Sequence, residues 1–235
     1  MARAQDQLIN MIETVARALG SELLEEVVFV GGCTTGLLVS DEVTKEGIRY
    51  TDDVDLIVNV AGYAGWHSFQ EQLRDKGFTV NLDDEVICRM RLDGLMVDFM
   101  PDDKDILGFS NRWYKQAFES AQDYRLAEDL VIRLLTSPFF MATKLEAYKG
   151  RGNNDPLASH DMEDLLNLVD GRPEVVTEIQ VADKRLRDFI AEEIGRLLDH
   201  DLIDYAIQGV VMGDPGRVNL VFERLEKISG LRDPG

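Results

Sequence analysis

The sequence is poor in the residues that form disulfides or bind soft metals. Among its 235 residues there are two cysteines, Cys33 and Cys88, and three histidines. Two isolated cysteines make neither a disulfide framework nor a zinc site, and three scattered histidines do not predict a histidine-based metal cluster. We therefore expect both cysteines to be small, buried hydrophobic residues.

Long apolar runs are also absent. No stretch approaches the roughly 20 apolar residues that a membrane helix needs. The first six residues, Met-Ala-Arg-Ala-Gln-Asp, lack the apolar core of a signal peptide. These absences predict a cytoplasmic protein that has no membrane partner.

Positive charge is scarce. The chain has 25 lysines and arginines against 44 aspartates and glutamates, which gives a formal net charge of −19. Nucleic-acid binders normally present a basic surface that neutralises phosphates, so a long polyanion should be repelled unless a local basic patch exists. Most of the acidic residues are expected to form a solvated surface, or one face for a basic partner.

The first hundred residues alternate between helix and strand patterns. An amphipathic helix is predicted over residues 8–19 and ends at Gly20. Short apolar runs predict strands at residues 27–30, 54–60, 78–82, 86–92 and 95–100. The Asp93-Gly94 pair is a hairpin signal, so part of the sheet should be antiparallel.

From about residue 125 the pattern is nearly all helical, beginning with predicted helices over residues 126–135 and 138–149. Together these patterns predict an α+β protein. A small mixed sheet flanked by helices is followed by a mostly α-helical C-terminal domain. We place the core domain at residues 1–105 and the helical domain, which should complete the cleft, at residues 106–235.

Two carboxylates at the start of the second predicted strand indicate a metal site. Strand side chains alternate between faces, so Asp53 and Asp55 share one face while Val54, Leu56 and Val58 share the other. Two such close carboxylates repel each other, and a divalent cation removes the repulsion. Mg²⁺ favours carboxylate oxygens and keeps positions open for substrate phosphates.

A third carboxylate, Asp98, lies in the middle of an apolar strand, where an unpaired charge would be costly. If its strand lies beside that of Asp53, Asp98 completes the cluster, and two metals could then activate a hydroxyl and stabilise leaving pyrophosphate. The alternative is a structural salt bridge to Arg89 or Arg91. These two arginines alternate on one strand face, which could also be an exposed sheet surface or a nucleotide contact.

The Gly31-Gly32 pair follows a buried strand and precedes a short predicted helix. Glycine lets the backbone approach a ligand closely, and a helix N-terminus favours phosphate. Thr34 or Thr35 could add a hydroxyl. Taken alone, the pair could equally be a turn, and its value comes from its position one strand before the aspartates.

The combined pattern resembles the nucleotidyltransferase core of the DNA polymerase β superfamily. The match consists of Gly31-Gly32 after a strand, then Arg49-x-Thr51-x-Asp53-x-Asp55-Leu56, then a strand that carries an aspartate. A downstream segment is similar to the AbiEii/MenT group of nucleotidyltransferase-like toxins. That segment reads Lys144-Leu145-x-Ala147, Arg151, then His160-Asp161-x-x-Asp164-Leu165, with His160 where lysine is usual. The resemblance covers residues 27–170.

The resemblance implies a role for each matching residue. Mg²⁺ or Mn²⁺ would be bound by Asp53 and Asp55, with Asp98 as third ligand or base. The triphosphate of a nucleoside triphosphate substrate would be lined by Gly31, Gly32, Thr34, Thr51, Lys144 and Arg151. Asp161 would position Lys144 or the acceptor, and the role of Arg49 is open.

Simpler interpretations of these residues stay open. Lys144 and Arg151 are seven residues apart and share a helix face, which could be solvated. Asp161 could cap a helix, because it follows Ser159 near a predicted helix start. Asp53 and Asp55 could flank a turn.

The expected activity is transfer of a nucleoside monophosphate to an acceptor. The acceptor would be a tRNA 3′ end, a protein hydroxyl or a small molecule. The protein would then be an enzyme, and the resemblance is compatible with the toxin of a toxin–antitoxin or phage-defence system that has a cognate antitoxin. The alternative is a non-catalytic nucleotide-binding or toxin–antitoxin partner module of the same fold.

Overall fold

A computed structural model describes residues 4–84, 86–108 and 110–232. It confirms the predicted α+β class: six strands form one mixed sheet, helices flank the sheet, and the C-terminal region is helical. Within the described ranges, none of the helices combines the length and the apolar character required to cross a membrane. The two cysteines are buried, as expected.

The elements follow one another closely along the chain. The first part contains α1 Ala4–Glu25, β1 Val27–Val30, a short 3₁₀ helix Gly32–Thr34, α2 Thr35–Leu38, α3 Glu42–Gly47, β2 Asp53–Val58, α4 Gly62–Asp75, β3 Arg89–Leu92 and β4 Leu95–Pro101. The second part contains α5 Lys104–Leu107, α6 Tyr114–Glu119, β5 Gln122–Ala127, β6 Leu130–Leu134, α7 Ser137–Arg151, α8 His160–Gly171, α9 Val175–Gln180, α10 Lys184–Leu198, α11 Ile203–Val210 and α12 Pro215–Ser229.

The chain divides into two compact units. Unit 1 consists of Met1–Thr34 and Tyr50–Thr136, and it contains all six strands. Unit 2 consists of Thr35–Arg49 and Ser137–Gly235. The predicted domains, a core at residues 1–105 and a helical domain at residues 106–235, stay a prediction.

The sheet of unit 1 has the strand order β3-β4-β2-β1-β6-β5. Strand β2 lies near the middle, antiparallel to β1 and parallel to β4. Every residue of β1 is buried, as expected for a wholly apolar strand with neighbours on both sides. The Asp93-Gly94 turn joins β3 to β4 as an antiparallel hairpin, and this prediction is confirmed.

Two local predictions were wrong. Residues 126–135 do not form a helix but most of the β5–β6 hairpin, because Leu130, Ile132 and Leu134 alternate with more exposed residues and bury one strand face. Residues 78–82 do not form a strand; within them, Thr79 makes a single bridge to Arg91.

Unit 2 is organised around α8, whose apolar face is fully buried. The helix packs against α7, α12 and α3. Its C-terminal carbonyl at Gly171 accepts the backbone N–H groups of Ser40 and Asp41, and Asp41 in turn caps α3. The segment before Arg49 is therefore anchored to the helices of unit 2.

Candidate functional site

Three carboxylates converge on one face of the unit 1 sheet. Strands β2 and β4 run parallel, and their register sets Asp55 directly opposite Asp98, while Asp53 lies two residues before Asp55 on the same face. Each of the three aspartates offers an oxygen atom, and these oxygens all lie within 4.8 Å of one another. Strand alternation therefore brings together the three residues that were predicted as metal ligands.

The opposite face of the same strands explains why the carboxylates are held in place. Val54 and Leu56 on β2, and Val97 and Phe99 on β4, have no exposed surface. Burying these side chains fixes which face the aspartates occupy, because a slip of one residue would reverse every side chain. The predicted alternative of a turn at Asp53 and Asp55 is wrong, since both residues lie within β2.

Arg89 on β3 closes one side of the acidic cluster. In the antiparallel β3–β4 pair Arg89 lies opposite Asp98. Its Nε is 2.7 Å from Asp98 Oδ1 and its terminal nitrogen Nη2 is 2.8 Å from Oδ2, a two-pronged contact. The same Nη2 is 3.6 Å from Asp53 Oδ2. The salt bridge considered as an alternative for Asp98 is therefore present, next to the other two carboxylates.

The Gly31 backbone lies against Asp55. Gly31 has a φ of +75°, and a Cβ atom built on it would be 1.9 Å from Asp55 Oδ2. No other residue type fits here without moving the carboxylate, so the glycine is required by this close approach as well as by its φ. Gly32 is buried at the start of the 3₁₀ turn.

Thr34 and Thr51, the two threonines predicted to contact the triphosphate, form hydrogen bonds within the protein through their hydroxyls. Thr34 is fully buried, and its Oγ1 donates to the Gly31 carbonyl at 2.9 Å. Thr51 Oγ1 donates to Asp53 Oδ1. The predicted helix after Gly31-Gly32 is a 3₁₀ turn followed by four α-helical residues, which is too short for a substantial dipole. Direct phosphate contacts from these residues stay predictions.

Cys88 lies near the carboxylates of the acidic cluster, but its thiol stays protonated. Burial raises the pKa of the Cys88 thiol to about 12, and the charges of Asp98 and Asp55 add to the effect. The backbone carbonyl of Cys88 accepts the Phe99 N–H at 2.9 Å. At neutral pH this side chain is therefore an uncharged part of the core.

A second group of charged residues lies in unit 2. Lys144 on α7 is 7% exposed, so it is not part of a solvated helix face. Its ammonium nitrogen donates to Asp161 Oδ1 at 3.1 Å and to Asp164 Oδ2 at 2.7 Å. Both aspartates lie on α8, three residues apart and hence on the same side of the helix.

Two arginines complete the Lys144 cluster. Arg151 reaches Asp161 with both Nε and Nη2, at 2.8 and 2.9 Å. Arg49 Nη2 is 3.2 Å from Asp164 Oδ2. Burial opposes the charged form of Asp161, but Arg151 and Lys144 outweigh it and lower the pKa of this carboxyl. The helix cap is Ser159, which accepts from the Met162 N–H, so Asp161 is not the capping residue.

Asp164 is the residue whose role the sequence interpretation missed. It has no exposed surface, and its Oδ1 has no hydrogen-bond partner among the residues that the structure describes. The sequence feature that could have revealed this role is an aspartate inside the apolar stripe formed by Leu165, Leu166 and their neighbours. An acid in such a place needs a buried cation, and Lys144 supplies it.

The donors in unit 1 suit a hard divalent cation. Three carboxylate oxygens match the preference of Mg²⁺ and Mn²⁺, whereas zinc would favour nitrogen and sulfur ligands. The predicted site residues thus fall into two groups, the acidic cluster in unit 1 and the Lys144 cluster in unit 2. No protein-family model and no curated protein matches this sequence, so the case for a function depends on the chemistry of these groups.

Proposed function

We propose that this protein is a metal-dependent nucleotidyltransferase that moves a nucleoside monophosphate from a nucleoside triphosphate to an acceptor hydroxyl. The observation that carries the proposal is the convergence of Asp53, Asp55 and Asp98 within 4.8 Å on adjacent parallel strands. The close approach of the Gly31 backbone to Asp55 adds to it. Mg²⁺ or Mn²⁺ is the proposed cofactor.

In the proposed reaction the acceptor oxygen attacks the α-phosphorus. A new phosphorus–oxygen bond forms, the bond from the α-phosphorus to the bridging oxygen breaks, and pyrophosphate leaves. The acceptor proton passes to a carboxylate, for which Asp98 is the candidate when it is not serving as a ligand. A divalent cation bound by the aspartates would neutralise phosphate charge and stabilise the leaving group.

Lys144 is the proposed phosphate-binding cation of unit 2, and Arg151 is proposed to assist it. Lys144 donates to both Asp161 and Asp164, which is consistent with a lysine held in one orientation by its neighbours. Asp161 and Asp164 are proposed as positioning residues. The acceptor is proposed to be a tRNA 3′ end, a protein hydroxyl or a small molecule, and a toxin acting with a cognate antitoxin belongs to the same proposal.

One observation favours a second candidate, a non-catalytic nucleotide-binding or partner module. Both oxygens of Asp98 are engaged by Arg89. A cluster that is permanently closed by arginine would not take a cation and would not catalyse. Cation binding therefore separates the two candidates.

The decisive experiment incubates the protein with each labelled nucleoside triphosphate, cell extract and Mg²⁺ or Mn²⁺. We expect label on RNA, on protein or on a small molecule, with the labelled class identifying the acceptor. Labelling should be lost in Asp55→Ala and in Lys144→Ala, and it should persist in Asp52→Asn, because Asp52 is an exposed neighbour outside the cluster. Labelling that persisted in Asp55→Ala would exclude the proposed site.

A further inference from the structure

The acidic cluster of unit 1 already contains a cation of its own. Arg89 contacts Asp98 through two nitrogens and approaches Asp53 to 3.6 Å through one of them. Its side chain is only 17% exposed, so water screens these contacts weakly. The guanidinium thus occupies carboxylate oxygens that a bound divalent cation would need.

Charge counting shows what this arginine changes. The charges of the three carboxylates and the Arg89 guanidinium add up to −2. One divalent cation would neutralise that remainder, and a second would leave an excess of positive charge. Phosphate groups would have to balance the excess before a second cation could bind stably.

The geometry has a further consequence for Asp98. A carboxylate that holds an arginine through both oxygens keeps a further lone pair on each oxygen, but a cation bound there would lie close to the positive charge of the guanidinium. Coordination by Asp98 is therefore opposed by Arg89, and withdrawal of the guanidinium relieves the repulsion. The displaced guanidinium would be close to the cation and would need another anion, and a substrate phosphate is the anion that the proposed reaction supplies.

We infer that Arg89 is a built-in competitor for the cation site, which balances the carboxylates in the metal-free protein and is released to a substrate phosphate when the cation binds Asp98. This inference rests on the proposed function. It adds Arg89 to the residues that contact substrate, and it limits the protein without nucleotide to one tightly bound divalent cation. It also predicts that nucleotide and cation strengthen each other's binding.

Arg91 offers a matched control on the same strand. It lies two residues from Arg89, on the same face of β3, and it pairs with Asp84 through Nε and Nη2 at 3.0 and 2.6 Å. The two arginines thus make the same kind of two-pronged contact. Asp84, however, is not a member of the acidic cluster.

The test measures Mn²⁺ binding to the full-length protein by electron paramagnetic resonance of free Mn²⁺, without nucleotide. Arg89→Met removes a positive charge a few ångströms from the cation, so its affinity for Mn²⁺ should rise by about tenfold or more. Arg91→Met should stay within about twofold of the wild type, because its charge is more distant and screened by salt. The wild type should bind one Mn²⁺ tightly.

A second measurement observes the wild-type protein itself, and a variant serves only to assign the resonance. In wild-type protein, the Arg89 Nε–H resonance, assigned by comparison with Arg89→Lys, should shift when Mg²⁺ is added, while that of Arg91 should not. An Arg89 resonance that stays unchanged while Mg²⁺ saturates its site would overturn the inference.

The outcomes separate this inference from the proposed function. Equal or weaker Mn²⁺ affinity in Arg89→Met, with clear binding in the wild type, would show that Arg89 does not compete and would leave the metal site intact. Absence of Mn²⁺ binding in both the wild type and Arg89→Met would remove the metal site, and with it both proposals.

Discussion

The two charged clusters of this protein differ in how their charges balance. In unit 1, three carboxylates are matched by one arginine, and the carboxylates share one sheet face. In unit 2, the acids around Lys144 have an equal number of cations: Lys144, Arg49 and Arg151 contact Asp161, Asp164 and Glu163. In these contacts the carboxylates outnumber the cations in unit 1, whereas the two signs are equal in number in unit 2.

The difference indicates what each cluster contributes to the free energy of unfolding. Removing a buried member of the unit 2 network is costly, because it leaves its buried partner uncompensated. A cluster with excess negative charge costs stability as it stands and recovers that cost when a cation binds. Substitutions should therefore act with opposite signs in the two clusters.

The largest effect is expected from Lys144→Met. This change leaves the buried Asp164 with Arg49 as its remaining cation and should lower the free energy of unfolding by about 3 kcal/mol. Arg151→Met is the control, since Arg151 also contacts Asp161 but has a side chain that is 74% exposed; it should cost about 1 kcal/mol or less. Urea unfolding followed by far-UV circular dichroism measures both. Equal losses would contradict the picture of a buried network.

The next largest effect is expected from Gly31→Ala. The new methyl group would overlap Asp55 Oδ2 and push the carboxylate out of the cluster, so Mn²⁺ affinity should fall by about 100-fold. Gly94→Ala is the control, because Gly94 also has a positive φ, +89°, but nothing lies within 4 Å of its added Cβ. It should lose about 1 kcal/mol of stability and keep its Mn²⁺ affinity. Unchanged Mn²⁺ affinity in Gly31→Ala would show that Asp55 is not a ligand.

A smaller effect, of opposite sign to that of Lys144→Met, is expected from Asp55→Asn. Removing one of three repelling charges should raise the free energy of unfolding of the metal-free protein by about 1 kcal/mol. The same change should abolish the stabilisation that Mg²⁺ gives the wild type. Thermal unfolding with Mg²⁺ and with a chelator provides the comparison, and Asp52→Asn should behave like the wild type. If Asp55→Asn destabilised the metal-free protein, substitutions in the two clusters would not act with opposite signs on the free energy of unfolding.

The smallest effect is the acid sensitivity of the Lys144 cluster. Because the pKa of Asp161 is lowered from 3.8 in the folded protein, its contribution to stability is present above that pH. The contribution is lost as the pH falls through the lower folded value. Urea midpoints measured from pH 6 downward should fall less steeply below about pH 4 in Asp161→Asn than in the wild type. Parallel curves would mean that Asp161 is not held by its cations.

The sequence was sufficient where short-range alternation determines the structure. Period-two spacing put Asp53 and Asp55 on one face, and the same rule applied to the β4 strand indicated that Asp98 could join them. The helical spacing of Lys144 and Arg151 indicated a shared face, and both residues contact Asp161. The fold class followed from the same periodicities.

The sequence was insufficient where distant parts of the chain choose between local patterns. The spacing of the apolar residues in segment 126–135 is compatible with either a helix or a strand. Strand pairing with β1 decides in favour of the hairpin. Arg89 could have faced solvent, and only the β3–β4 register sets it against Asp98. The pairing of Asp164 with Arg49 joins residues more than a hundred positions apart.

The central position of β2 has a consequence for the speed of cation capture. All six residues of β2 have a register partner on β4, and four of them also have one on β1. Backbone amides in such a strand exchange with solvent only through large-scale opening, so the strand that carries Asp53 and Asp55 does not rearrange on fast timescales. Capture of the ion should therefore be limited by its loss of water and by movement of the arginine side chain, with no slow ordering of the backbone.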